Sequence, residues 1–102
     1  MYLIQLLLPL YDNDQRPFSF QHLDQVRHNL TEHFGGVTAY LRSPAIGLWK
    51  EDDHDVSRDD VVMFEVMSEK LDESWWSHYR EGLEKTFRQD EVLVRAIAVR
   101  KL

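Results

Sequence analysis

Apolar positions along this chain switch between two periods, and the switches predict six elements. "YLIQLLLPLY" (residues 2–11) is apolar on both faces, as a buried strand is. "YDNDQRP" is a loop, rich in residues that bond their own backbone and ending in proline. The period then becomes helical: Leu23, Val26, Leu30 and Phe34 fall on one stripe. Ser19 is placed to cap this helix, with Phe18 and Leu23 as a hydrophobic staple. Gly35 stands where a helix ends in a left-handed residue. "VTAYLR" is a strand, and "SPA" with Gly47 bends or bulges it before "GLWK". "EDDHDVSRDD" reads as a connection and "VVMFEVM" as the next strand. Asp72 can cap a second helix stapled by Leu71 and Trp76, with Trp76, Tyr79, Leu83 and Phe87 as its stripe. "EVLVRAIAV" closes the chain as a strand.

Both helical stripes have the same spacing, and each helix lies between two strands. The chain therefore reads as two β-α-β halves in tandem, one domain over residues 1–102. The fold class is α+β: a ferredoxin-like βαββαβ sandwich, with a four-stranded antiparallel sheet and two helices on one face. The first and third strands take the centre of the sheet, the second and fourth its edges.

Strand alternation sorts the side chains by face. One parity is wholly apolar: Ile4, Leu6, Leu8, Val37, Ala39, Leu41, Val62, Phe64, Val66, Val92, Val94 and Ala96. It is the floor for the helices. The other parity holds Leu3, Gln5, Leu7, Thr38, Tyr40, Arg42, Met63, Glu65, Met67, Leu93, Arg95, Ile97 and Val99. A sheet face left open to water should be polar, yet this one carries many large apolar groups. That pattern predicts a homodimer in which two such faces pack together.

Composition narrows the function. The 102 residues are 43% hydrophobic and 29% charged, as in a globular domain. A formal net charge of −6 argues against nucleic acid or an anionic membrane as partner. There is no cysteine, hence no disulfide and no thiolate chemistry, which fits a cytoplasmic location. The opening apolar run lacks the positive leader and small-residue cleavage site of a signal peptide, and is too short to span a bilayer. The glycines of "HFGGVTAYLRSPAIGLW" show neither G-x-G-x-x-G nor P-loop spacing, so they read as helix stop and strand bend rather than a phosphate cradle.

The order, the length and the doubly apolar sheet resemble the dimeric α+β-barrel superfamily, in which two ferredoxin-like subunits pack sheet to sheet. Its members include cofactor-free monooxygenases, haem-degrading enzymes, lactone isomerases and ligand-sensing domains, so the resemblance implies a dimer without choosing a reaction. The histidine-centred patterns of the haem-degrading branch are absent. More locally, "GGVTAY", "GLW", "FEV" and "FRQDEV" resemble a set of small bacterial proteins of unknown function, which brings no catalytic residues.

The best constellation for chemistry is the polar set on the open face, Gln5, Tyr40, Arg42, Glu65 and Arg95. Charged groups in a buried face need partners. They form either a ligand pocket, with Glu65 as base and the arginines as anion anchors, or an inter-subunit salt-bridge network. Arg42 is placed to reach Glu65 directly, and Arg95 to reach it past Gln5. Trp75 and Trp49 are aromatic candidates for the same pocket or interface; Trp76 points to the core and Trp75 to its margin. The five histidines do not converge, and "DDHD" reads as a solvated hairpin tip, so no metal and no cofactor is expected. The function that follows is a homodimeric module with a small organic ligand between its sheets. The alternatives are a cofactor-independent monooxygenase- or isomerase-like enzyme in the same pocket, and a protein-interaction subunit using an edge strand.

Overall fold

The computed structural model describes residues 1–12, 14, 16–50 and 56–102, with side chains described outside 41–60. Within it β1 is Tyr2–Pro9, α1 Phe20–Phe34, β2 Thr38–Lys50, β3 Val56–Ser68, α2 Glu73–Thr86 and β4 Leu93–Ala98. The sheet order is β2-β3-β1-β4, and every pairing is antiparallel. This is the order expected, with β1 and β3 central.

Both helices start, and α1 stops, for the reasons anticipated. The Ser19 hydroxyl accepts from the Gln21 backbone N–H, and the Asp72 carboxylate from that of Trp75. Gly35 ends α1 at φ 82°, a conformation that only glycine adopts without strain. α2 ends without a glycine. Arg88 takes the left-handed position itself at φ 52°, and the Gln89 N–H returns to the Glu84 carbonyl. In the first loop the Asp12 carboxylate accepts from the backbone N–H groups of Asp14 and Arg16.

One sheet face carries the core. Ile4, Leu6 and Leu8 of β1 and Val62, Phe64 and Val66 of β3 are buried against Leu23, Val26 and Leu30 of α1 and Trp76 and Leu83 of α2. Phe87 and Val92 complete it from the α2–β4 connection. The Val92 N–H is held by the Glu84 carboxylate at 2.9 Å, which ties the end of α2 to the start of β4.

Two expectations about the β2–β3 hairpin need correction. The polar run 56–60 is strand, not connection: Val56–Asp60 pair with Lys50–Ile46. Backbone pairing in a hairpin arm does not need apolar side chains, so composition hid it. The bend is only partly as expected: the irregularity falls at "SPA", between Tyr40 and Ala45, the stretch that holds Pro44, whereas Gly47 pairs with Asp59 in register. A proline has no N–H for the ladder, so the break falls around it. The "DDHD" tip, residues 52–55, lies outside the described residues.

Candidate functional site

The open face of the sheet is ordered into three rows by strand register. Leu3 of β1 is paired with Met67 of β3 and Ile97 of β4. Gln5 is paired with Glu65 on one side and Arg95 on the other. Leu7 is paired with Met63 and Leu93. The outer rows are apolar and the middle row is polar. Met67, Leu93 and Ile97 are 45–46% exposed, which is high for large apolar groups on a sheet.

The middle row is a continuous hydrogen-bonded chain. Arg95 Nε donates to Gln5 Oε1 at 2.7 Å. Gln5 Nε2 donates to Glu65 Oε1 at 2.7 Å. Tyr40 on β2 donates its hydroxyl to the other carboxylate oxygen, Oε2, at 3.2 Å. All four strands thus contribute one member. Gln5 can sit at only 9% exposure because both ends of its amide are bonded. The Tyr40 phenol is held above its usual pKa, first by its hydrogen bond to Glu65 and then by the negative charge there.

The arrangement amends one sequence inference. Arg95 does not reach past Gln5 to Glu65; the amide stands between them and bonds both. An amide offers a donor and an acceptor, so it can join a cation to an anion across two strand spacings, where a direct contact would have to span about 10 Å. Among the described residues the ion pair present is Arg27–Asp24 on the surface of α1, not one at Glu65. The side chains of Arg42 and Trp49 lie outside those described, so the reach of Arg42 to Glu65 does too.

Trp75 stands apart from this row. Its ring is stacked between His33 of α1, at 4.1 Å and 10°, and Tyr79 of α2, at 4.9 Å and 19°. Trp76, one position on, is buried and stacks on Phe34. His33 escaped the sequence reading. Its signal is positional: it precedes Phe34 in the last turn of α1, so the two rings meet the two tryptophans in step.

A hollow of about 530 Å³ adjoins the open face where α1 turns into β2. Leu3, Glu65 and Met67 line it from the sheet, Phe34 and Gly35 from the helix end. No group of three histidine, aspartate or glutamate side chains that could hold a metal occurs among the described residues. No helix there is long and apolar enough to cross a membrane.

No family model and no curated protein matches the chain. Solved structures do match. A phage SAM lyase in its apo state superposes with a TM-score of 0.62 over 94% of this chain and 78% of that one, at 12% identity. The phage SAM lyase in complex with S-methyl-5'-thioadenosine gives 0.57 over 94% and 79%, at 13% identity. A variant of CutA1 from Pyrococcus horikoshii OT3 gives 0.59 over 100% of this chain and 86% of that one, at 12% identity. The fold is ferredoxin-like. At such identities the likeness is one of architecture. A ferredoxin-like sandwich covers one sheet face with its helices, and in this one the uncovered face holds the polar row.

Proposed function

We propose that this ferredoxin-like chain is a homodimeric module whose open sheet faces pack together. The observation that carries the reading is the exposed Met67 and Ile97 on one side and Leu93 on the other, flanking a polar centre in which Gln5 and Glu65 are hydrogen-bonded at both ends. An apolar surface of this kind is costly in water, and a second sheet removes it. The polar row can enter such an interface because the Gln5 amide and the Glu65 carboxylate are bonded at both ends, which leaves Arg95 to be paired.

A second reading, a small organic ligand between the sheets, is favoured by the hollow beside Glu65. Its volume falls in the range of small-molecule sites, and its walls mix the apolar Leu3, Phe34 and Met67 with Thr38 and that carboxylate.

Sedimentation velocity at micromolar concentration tests the assembly. The expected species has twice the 12.2 kDa of the chain, and Ile97→Glu shifts it to the monomer. A wild-type chain that sediments as a monomer refutes the reading. Density for a co-purifying molecule beside Glu65 in a crystal of the dimer would add the ligand.

A further inference from the structure

Glu65 and Arg95 flank Gln5 symmetrically. Each is its direct register partner, one strand to either side, so each lies about 4.8 Å from the β1 axis. Met67 and Ile97 flank Leu3 in the same way, and Met63 and Leu93 flank Leu7. Strands β3, β1 and β4 therefore present a three-by-three grid whose apolar positions match left to right across β1 and whose charges oppose, with Thr38 and Tyr40 of β2 beyond its β3 side.

Resting on the self-association proposed above, we infer that the two copies are related by a two-fold axis running along β1 above Gln5. Two copies facing each other through a two-fold axis in the interface have two simple choices. An axis along the strands exchanges left and right. It sets Glu65 against the partner's Arg95, Met67 against the partner's Ile97, and Met63 against the partner's Leu93. An axis along the polar row leaves left and right unchanged. It sets Glu65 against the partner's Glu65 and Arg95 against the partner's Arg95. Both choices bury apolar groups on apolar groups, so charge decides between them. Like charges facing each other in an interface are strongly unfavourable, whereas the first arrangement forms two identical opposite-charge contacts.

The side chains retain the capacity to make those contacts. Among the described residues only Nε of Arg95 is engaged, by Gln5, which leaves the two terminal nitrogens for an acceptor. Glu65 accepts one bond at each oxygen, and a carboxylate has about four acceptor positions. The same axis keeps the strands of the two sheets roughly aligned, a common way for sheets to pack.

Charge exchange tests the inference. Glu65→Arg and Arg95→Glu should each place like charges together and weaken the dimer by about tenfold or more in Kd. Mixed in equal amounts, the two variants should form a one-to-one heterodimer, because one contact is then native and the other inverted. An axis along the polar row would also pair opposite charges in this mixture, so the weakening of each variant alone and a cross-link between copies separate the two axes. A charge variant that fails to fold leaves a second measurement, since the chain has no cysteine of its own. Leu3 lies on the proposed axis and should meet the partner's Leu3. Leu3→Cys alone should therefore cross-link to itself with a short bis-maleimide. A stable wild-type dimer in which Leu3→Cys cross-links only when mixed with Leu7→Cys overturns the axis but leaves self-association standing. Absence of heterodimer from two folded charge variants does the same. A monomeric wild type overturns self-association itself.

Discussion

The Gln5 amide donates to Glu65 at 2.7 Å from sixty positions away in the chain, and this bond keeps a carboxylate in place on a largely apolar sheet face. It also makes the two residues one energetic unit with Arg95 and Tyr40.

The first prediction follows from that unit. Glu65→Ala strands the buried Gln5 amide, while the exposed Tyr40 hydroxyl can turn to water, and should lower the unfolding free energy by about 1–3 kcal/mol. The same change at Glu81, exposed on α2, should stay within about 0.5 kcal/mol. The double change Gln5→Leu with Glu65→Leu should recover much of the loss, because removing both partners strands less than removing one. Urea midpoints compare all three. Equal midpoints for Glu65→Ala and Glu81→Ala would show that the row adds nothing to stability.

Tyr79 gives a prediction of opposite sign. Its hydroxyl is buried with no hydrogen-bond partner among the described residues. Burial holds the phenol above the ordinary tyrosine value of 10.0; Asn29 nearby acts the other way but more weakly. The Asn29 side-chain oxygen is itself occupied by Gln25, and the amide makes no well-formed bond to the hydroxyl. Tyr79→Phe should therefore leave stability at neutral pH unchanged, or raise it by up to about 1 kcal/mol. The folded-state pKa lies above the unfolded one. Its contribution is thus fully present below pH 10.0 and is lost as pH rises through the folded value. Denaturant melts in that alkaline range should fall less steeply with pH for Tyr79→Phe than for wild type. Parallel slopes would show that the phenol is not desolvated.

Two glycines should respond in opposite directions to alanine. Gly35 sits at φ 82°, so Gly35→Ala should cost about 1 kcal/mol even though a Cβ there meets nothing within 4 Å. Gly82 lies inside α2, and its added Cβ is equally free. Gly82→Ala should stabilise by up to about 1 kcal/mol through helix propensity alone. Thermal melts of the two variants should move apart, one below and one above the wild type.

How much of this was legible is best judged on particular residues. The stripe Leu23, Val26, Leu30 and the pair Ile4 and Phe64 were readable because periodicity is a property of short segments. The caps at Ser19 and Asp72 were readable for the same reason: cap and recipient lie within three residues. The strand at 56–60 was not, since its pairing partner and not its own polarity makes it a strand. Nor was the end of α2, where Arg88 adopts a conformation its side chain disfavours.

Sequence alone therefore determined the order of elements, the faces of the β1 residues and of Val62, Phe64 and Val66, and the membership of Gln5, Tyr40, Glu65 and Arg95 in one surface. Tertiary structure decided which of them touch. Whether Glu65 stands level with Gln5, and Gln5 level with Arg95, is a matter of register between strands sixty and ninety positions apart. Register is set by the packing of the whole helix-covered face, because sliding one strand by a single residue would turn Phe64 and Val66 out of the core. The buried face thus fixes the alignment of the exposed one, and no local pattern on the exposed face contains that information.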